Sequence, residues 1–335
     1  MRKIFIHSYS SLTSIENLFQ AWDEFKKGKR KRSDVQLFER YLEDNLFELH
    51  QKLVCKTYKH DNYHDFYVHD PKRRHIHKAC VADRIVHHLL YKRLYEVFDK
   101  TFISDSYSCR LRKGTHAAVA RLERFARIVS KNYTHNCWVA KCDIKKFFAT
   151  IDHQILTKAI AKKVKNKDIL WLTKQIIDSF HSEAGVAKGI PIGNLTSQVF
   201  ANIYLAALDQ FLKHQLKVKY YLRFADDFLI LDLNRNKLTK YIDLLKHFLA
   251  NDLKLELHPK KINLRKLSWG VDFCGYLVLP HYRLVRTKTR RRIFQKVLKT
   301  QISNQALQSY IGYFAHAESY KIIQEIKNIS WLYAG

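Results

Sequence analysis

The sequence predicts an α+β fold, with helices at both ends of the chain and a small antiparallel sheet between them. Apolar residues recur at helical spacing from Leu12 to about Leu53 and again from Thr287 onward. Short β-prone runs lie between these two regions. Only 9 Gly and 4 Pro interrupt the 335 residues, so we expect long elements and few flexible linkers.

The elements follow from these patterns in order. Two helices over residues 12–53 are joined by the basic stretch 26–32, and residues 54–67 are irregular and β-like. Further helices are predicted at 81–99, 115–131, 152–163, 167–180, 195–216, 236–251 and from 287 onward. The β elements are a buried strand at 137–143, a hairpin at 219–231, a short strand at 254–257 and a hairpin around 273–276.

The composition predicts a polyanionic partner, either nucleic acid or an anionic membrane surface. Lys and Arg number 60 against 31 Asp and Glu, a formal net charge of +29, and such a chain repels itself unless it meets a polyanion. Residues 1–7 lack the apolar region of a signal peptide, and no apolar run reaches the roughly 18 residues of a membrane span. We therefore expect a cytoplasmic protein without membrane contact. The 6 cysteines form no CxxC pair, so we expect reduced thiols rather than a zinc site.

Three carboxylates stand where predicted strands end: Asp143, Asp226 and Asp227. Adjacent like charges are costly unless something neutralises them. Two divalent cations about 4 Å apart do so, and they activate an attacking 3′-oxygen while stabilising a leaving pyrophosphate. All-oxygen ligands suit Mg²⁺. The alternative for the Asp226–Asp227 pair alone is an exposed turn, and the isolated Asp143 at the end of a buried strand argues against it.

Two further segments accompany the acids. Phe147 or Phe148 could stand under the sugar of an incoming nucleotide and reject a 2′-hydroxyl, or both could be core residues. In residues 189–198, glycines permit close backbone approach to a ligand ahead of a helix start, although a plain helix-cap loop has the same pattern.

This ordered set resembles the seven-motif core of a reverse transcriptase. The matching segments are 143–148 and 189–198 (first and second palm motifs), 224–227 (catalytic hairpin), 255–261 (a basic motif) and 273–276 (primer-grip hairpin). The resemblance extends into the fingers at 70–76, 82–88 and 106–116, which look like bacterial, group II intron-related enzymes, and it covers roughly residues 12–335.

Within that lineage, residues 192–198 resemble the second palm motif of diversity-generating retroelements, Ile/Val/Leu-Gly-x-x-x-Ser-Gln. Other reverse transcriptases commonly have Gln at the position of Ile192 and Pro at that of Gln198. In the retroelement family the change is linked to misincorporation opposite template adenines. Two positions depart from the family: Phe224 replaces the usual Tyr, and Arg112 stands where Gly is typical.

The resemblance implies a right-hand polymerase fold, with an N-terminal extension and fingers (1–136), a palm (137–286) and a helical thumb (287–335). It implies two Mg²⁺ ions and dNTP substrates, with catalytic Asp143, Asp226 and Asp227, joined by Ile144 as the metal set. The implied nucleotide-binding residues are Lys72, Arg74, Phe147, Phe148, Ile192, Gly193 and Gln198. The implied primer–template residues are Phe273, Gly275, Tyr276, Lys288, Arg290 and Arg291.

The implied partners are a template RNA, its cDNA or primer, and a small, basic, helical accessory protein. Two alternative functions remain. One is a retron-type or anti-phage defence reverse transcriptase, which the Ser197–Gln198 ending disfavours. The other is a non-catalytic RNA-binding protein, which the three intact Asp residues disfavour. RNA-templated RNA synthesis is disfavoured by the bulky Phe148.

Overall fold

The structure is a computed structural model that describes residues 8–69, 72–299 and 302–332. The predicted α+β class is confirmed, because helices flank three antiparallel sheets. The helices are α1 (Tyr9–Leu12), α2 (Ile15–Lys26), α3 (Ser33–Arg40), α4 (Leu42–Val54), α5 (Val81–Phe98), α6 (Thr115–Val129), α7 (Phe147–Thr150), α8 (His153–Ala161), α9 (Lys167–Asp178), α10 (Leu195–Gln210), α11 (Arg235–Leu253), α12 (Thr287–Lys299), α13 (Asn304–Phe314) and α14 (Tyr320–Leu332). The strands are β1 (His64–Val68), β2 (Arg74–Lys78), β3 (Trp138–Asp143), β4 (Tyr221–Phe224), β5 (Asp227–Asp232), β6 (Asn263–Lys266), β7 (Val271–Phe273), β8 (Tyr276–Val278) and β9 (Arg283–Val285).

The chain forms two compact units that alternate along the sequence. The first comprises residues up to Ile103 together with Lys145–Phe211 and Phe248–Glu256. The second comprises Ser104–Ile144, Leu212–His247 and the residues from Leu257 onward. The fingers, palm and thumb boundaries at 136–137 and 286–287 stay predictions.

The centre of the first unit is formed by α5 and α10. Each buries residues on all sides instead of along one stripe, as the fully buried Leu90 and Leu205 illustrate. The two helices pack against each other, α2 packs on α5, and α8 packs on α10.

The second unit is built on a sheet with strand order β4-β5-β3-β6, in which every neighbouring pair is antiparallel. Helix α6 packs on β4 and β5. A smaller sheet, β7-β8-β9, and the C-terminal helices share one hydrophobic core with it, to which Leu122, Leu229, Phe273 and Phe314 contribute.

The structure corrects several details of the sequence prediction. Residues 9–54 form four helices instead of two, because the Ser14 side chain caps α2 at the N–H of Asn17 and the backbone of Tyr41 leaves the helical region. The strand predicted at 254–257 is wrong: Leu257 forms only an isolated bridge with Ile144, and β6 takes the place beside β3. The helix predicted to residue 216 ends as an α-helix at Gln210 and continues as a short π-helical segment.

Two sequence predictions involve residues that the structure does not describe. Residues 1–7, which are expected to lack a signal peptide, are among them, and so are Asp70 and Pro71 at the start of the first fingers segment. No helix in the described part of the chain combines the length and apolar character needed to cross a membrane.

Asp152 caps α8 from a buried position. Its Oδ1 accepts hydrogen bonds from the N–H groups of Gln154 and Ile155, each 3.0 Å long, and its Oδ2 lies 2.7 Å from Lys254 Nζ. Burial alone would raise the pKa of Asp152, but Lys254 and the two N–H groups hold that pKa below its ordinary value.

We predict that Asp152→Ala lowers the free energy of unfolding by about 1–2 kcal/mol at pH 7, because the helix cap is lost. The folded pKa lies below the unfolded one, so this stability is present above about pH 4 and is lost as the pH falls through the folded pKa. Urea unfolding at several pH values measures it, with the exposed Asp243→Ala as control. If the difference in the free energy of unfolding between wild type and Asp152→Ala stays constant below pH 4, the proposed role of the Asp152 carboxylate is wrong.

Candidate active site

The structure brings the three predicted carboxylates to one end of the second unit's sheet. Asp143 ends β3, Asp227 begins β5, and the antiparallel register places these two residues directly opposite each other. Asp226 lies in the two-residue loop between β4 and β5. The N–H of Ile144 donates to the Asp226 carbonyl at 3.3 Å, which ties this loop to the end of β3.

The carboxylates are held where water screens them poorly. Burial raises the pKa of Asp226 to about 6, and the charges of Asp143 and Asp227 add to the effect. Burial also raises the pKa of Asp227. Asp227 Oδ1 is buried and accepts no hydrogen bond from any residue that the structure describes. An orphaned carboxylate oxygen beside two further acids fits a divalent cation such as Mg²⁺.

Two lysines offset part of this charge. Lys261 Nζ lies 2.7 Å from Asp143 Oδ1, and Lys141 Nζ lies 3.4 Å from Asp227 Oδ2. Lys141 also donates to the Asp272 carbonyl at 2.8 Å. Lys141 therefore joins a carboxylate of the site to β7.

A fully buried arginine supports the loop between β4 and β5. Arg223 Nη1 donates to the Ala225 carbonyl and Nη2 to Ser106 Oγ, both at 3.1 Å. Ala225, which precedes Asp226, has a φ of 55°, a conformation that costs a residue with a Cβ about 1–2 kcal/mol. The N–H of Tyr107 donates to the Arg223 carbonyl at 2.9 Å. Arg223 thus holds the backbone that presents Asp226.

Sequence reasoning missed both Arg223 and Lys141. The available signal was a charged residue within an otherwise apolar strand, Arg223 in β4 and Lys141 in β3. A charge that is buried in a strand needs partners, and such a residue is therefore a candidate for a structural or catalytic role.

In the hairpin predicted to hold the primer, residues 273–276, the two aromatic side chains are buried. Phe273 and Tyr276 are both 0% exposed. The turn between them has positive φ at Cys274 (49°) and Gly275 (91°). The Tyr313 hydroxyl donates to the Gly275 carbonyl at 2.8 Å, and a Cβ at Gly275 would lie 2.5 Å from that hydroxyl oxygen. Only glycine fits there, and the surface available to a ligand is the turn backbone.

The basic residues predicted to contact the primer–template are exposed. Lys288, Arg290 and Arg291 lie on α12, which packs into the core through Ile293 and Val297. Their side chains are therefore accessible to phosphate groups.

The predicted nucleotide-binding residues lie in the first unit, where several come together. The N–H of His77 on β2 donates to the Ile192 carbonyl at 3.0 Å, and the N–H of Ile190 donates to the Phe148 carbonyl at 2.8 Å. The hairpin that carries Arg74, the loop that carries Ile192 and the residue Phe148 are thus hydrogen-bonded to one another. Gly193 has a φ of 126°, which residues with a Cβ rarely adopt, and a Cβ there would lie only 3.0 Å from Ile76 Cγ2, so glycine suits this close approach.

The two phenylalanines differ in exposure. Phe147 is 2% exposed and its ring contacts Phe148 and Tyr204, as the core interpretation predicts. Phe148 is half-buried, so its ring is the one available to a substrate. Lys72 and Arg74 are exposed.

The start of α10 is fixed by a buried histidine. His87 Nδ1 lies 2.7 Å from Thr196 Oγ1, and burial lowers the pKa of His87, which keeps the ring neutral. Gln198 is exposed on the same first turn. The contact therefore joins α5 to the first turn of α10, on which Gln198 also lies.

The structure accommodates both departures from the family pattern. Phe224 packs against the core of the second unit without a hydroxyl group. Arg112 has a φ of 59°, the left-handed region that glycine favours. The backbone at this position therefore has the conformation that the usual glycine would allow.

A second polar cluster, in the first unit, is satisfied internally. Ligand atoms of Asp61, Cys80 and Asp83 lie within 4.8 Å of one another. Asp83 accepts hydrogen bonds from the Tyr58 hydroxyl at 2.7 Å and from the N–H of Asp61 at 3.0 Å. Burial and the charge of Asp83 raise the pKa of Cys80 to about 12, so its thiol remains protonated. These contacts explain the cluster as a structural network.

Comparison with known sequences assigns the chain to a protein family. Residues 59–278 match the family described as reverse transcriptase (RNA-dependent DNA polymerase). The chain is 23% identical over 247 residues to Protein YkfC of Escherichia coli (strain K12), which covers 63% of this chain and 63% of that protein. It is 25% identical over 187 residues to the group II intron-encoded protein LtrA of Lactococcus lactis subsp. cremoris, covering 54% of this chain and 30% of that protein. The chain spans less than two thirds of the length of these relatives.

Solved structures confirm the polymerase fold. Apo telomerase from Candida Tropicalis matches with a TM-score of 0.54 and 13% identity over 82% of this chain and 57% of that one. The same apo telomerase truncated from its C-terminal domain matches with a TM-score of 0.52 and 15% identity over 67% of this chain and 55% of that one. At these identities the likeness establishes the fold alone. Because the family match includes all three carboxylates and most of the chain, the chain belongs to the reverse transcriptase family.

Proposed function

We propose that this chain is an RNA-directed DNA polymerase that copies a template RNA into cDNA at Asp143, Asp226 and Asp227. The observation that carries the proposal is the direct opposition of Asp143 and Asp227 across β3 and β5, with Asp227 Oδ1 buried and orphaned among the described residues. Ile144 has an apolar side chain, so it would contribute only its backbone carbonyl to a metal. Two Mg²⁺ ions, when bound, would supply charge stabilisation of the attacking 3′-oxygen and the leaving pyrophosphate.

The chain's own residues would bind and orient the substrates. Lys72 and Arg74 offer charge-assisted hydrogen bonds to a triphosphate. The ring of Phe148 would exclude a 2′-hydroxyl and so select dNTPs. The backbone of the primer-grip turn and the basic face of α12 would hold the primer strand through its sugar–phosphate backbone, which fixes position without reading sequence.

We predict Mg²⁺-dependent extension of a DNA primer on an RNA template by the purified protein. Asp226→Asn removes one of the clustered carboxylates and reduces extension to the level seen with EDTA, while Asp232→Asn, the same change at the far end of β5, retains it. Gel analysis of the products measures both. An active Asp226→Asn variant would contradict the proposal, and so would a folded wild-type protein that makes no DNA even with its native RNA and accessory protein.

We predict that Arg223→Met lowers kcat by about 10²-fold with little change in the KM for primer–template, because a displaced Asp226 loop misplaces the reacting groups. Arg223→Lys restores part of the rate, since it keeps one donor for the Ala225 carbonyl. Ser106→Ala, which removes one hydrogen bond at 3.1 Å, gives a smaller loss in a variant that we expect to fold. Wild-type kcat in a folded Arg223→Met protein would rule out this positioning role.

We further propose that the chain is the reverse transcriptase of a diversity-generating retroelement. The support is the segment 192–198, in which Ile192 replaces a polar residue and Gln198 is exposed at the start of α10. An apolar side chain beside the nascent pair removes a polar contact, so discrimination depends more on base pairing alone. A structured template RNA and a small basic helical accessory protein are the partners that this assignment implies. Low fidelity at template adenines is its measurable consequence.

We predict that Ile192→Gln lowers the error frequency at template adenines, because it restores a polar contact beside the nascent pair. Sequencing of cDNA copied from an adenine-containing template measures the frequency at each base. Val186→Gln, an exposed position in the same loop region, serves as the control and leaves the errors unchanged. Faithful copying by the wild-type protein would favour the retron-type or defence relatives, and unchanged adenine errors in Ile192→Gln would exclude the role of Ile192.

A further inference from the structure

The second unit contains a pocket that the proposed polymerase site does not use. It is a cavity of about 560 Å³ between the C-terminal half of α6, the loop after α6 and the turn between β8 and β9. Arg124, Arg127, Tyr133, His281, Tyr282 and Arg283 are among its lining residues. We name it the α6 pocket.

The α6 pocket lies at the opposite end of the sheet from the carboxylates. The chain enters β3 at Trp138 from the loop that contains Tyr133, and it leaves β3 at Asp143. Five residues of strand span roughly 17 Å. Similarly, β8 starts beside the primer-grip turn at Gly275 and leads away to the turn with His281. The pocket is therefore separate from the site of synthesis.

The lining is positively charged. Arg124 and Arg127 lie three residues apart on α6 and are both exposed, so their guanidinium groups share one face of the helix. Of the two carboxylates in the lining, Glu123 is held by Arg283, with Nε 2.6 Å from Oε1 and Nη2 2.7 Å from Oε2. Glu318 is exposed. Three arginines against two glutamates leave a net positive lining, and no ion pair with Arg124 or Arg127 occurs among the described residues.

Aromatic rings complete the pocket. Tyr133 and His281 contact each other edge to face, with ring centroids 4.5 Å apart, and Tyr282 is 45% exposed. Tyr133 (φ 66°) and His281 (φ 70°) both adopt the left-handed backbone conformation, which is unfavourable for residues with a Cβ. Tyr133 is partly buried and packs against the second unit's core, whereas the rings of His281 and Tyr282 are exposed and accessible to a base.

We propose that the α6 pocket binds single-stranded RNA, with one unstacked base against Tyr133 and Tyr282 and the flanking phosphates on Arg124 and Arg127. Aromatic stacking combined with arginine–phosphate contacts is the usual mode of single-strand recognition. The cavity falls within the range of about 300–1,000 Å³ that holds one small ligand, which suits a single unstacked nucleotide and excludes a duplex. The proposal rests on the proposed function, since it gives the template RNA a second contact outside the site of synthesis.

Salt-dependent RNA binding tests the charge contacts. Labelled single-stranded RNA is titrated, with unlabelled primer–template duplex present to fill the site of synthesis. The double variant Arg124→Gln/Arg127→Gln loses two phosphate contacts, so between about 50 and 200 mM salt the wild-type affinity falls about sevenfold more than that of the variant. Lys162→Gln/Lys163→Gln removes the same charge from exposed positions in the first unit and keeps the wild-type slope.

Photo-cross-linking tests the stacking. RNA that contains 4-thiouridine should cross-link to the peptides that carry Tyr133 and Tyr282, and Tyr282→Leu should reduce the yield. Equal salt slopes for the two double variants, or cross-links only elsewhere, would overturn the proposal. If single-stranded DNA shows the same difference in salt dependence between the two double variants, the assignment of the pocket to RNA is wrong.

Two readouts keep this proposal distinct from the polymerase proposal. A melting temperature equal to wild type shows that Arg124→Gln/Arg127→Gln is folded. Its primer extension on a short template is expected to equal wild type, because neither residue lies at the site of synthesis. If Arg124→Gln/Arg127→Gln loses primer extension but still binds RNA, these residues act in catalysis and the second RNA contact is refuted. If the wild-type protein is inactive but still cross-links through Tyr282, only the polymerase proposal is refuted.

Discussion

The opposition of Asp143 and Asp227 across one antiparallel strand pair is the constraint around which the second unit is arranged. Like charges at directly paired positions destabilise a sheet, and the tight loop adds Asp226 to the same end. Burial removes the water that would screen them, which is why the pKa of Asp226 rises to about 6. The rest of the second unit's core must stabilise this end of the sheet until a cation does so.

The residues that offset this repulsion also set the geometry of the site. Lys141 contacts Asp227 and the Asp272 carbonyl, so it joins the carboxylates to the β7-β8-β9 sheet. Arg223 is buried and donates a hydrogen bond to the carbonyl of Ala225, a residue with an unfavourable positive φ. Positively charged side chains therefore contact two of the acids and the backbone that precedes the third.

The sequence allowed prediction of the parts whose signal is local. The strand ending at Asp143 and the hairpin at Asp226 were predictable because short apolar runs end in acids, and α5 was predictable from its length and apolar pattern. Local pattern misplaced the strand at 254–257 and merged the N-terminal helices, because apolar spacing continues across the cap at Ser14. Arg223 could not be interpreted without Ser106, a partner 117 residues away in sequence.

Thermal unfolding of the metal-free protein tests the central claim, that three clustered, partly buried carboxylates repel one another until Mg²⁺ binds. At pH 7.5 the account predicts that Asp226→Asn melts at a higher temperature than wild type, because one of the three clustered charges is removed. Added Mg²⁺ should then stabilise wild type, by about 2.7 kcal/mol at a hundred times its Kd, and stabilise the variant much less. The claim is contradicted if Asp226→Asn melts no higher than wild type without metal, or if Mg²⁺ stabilises the variant as much as it stabilises wild type.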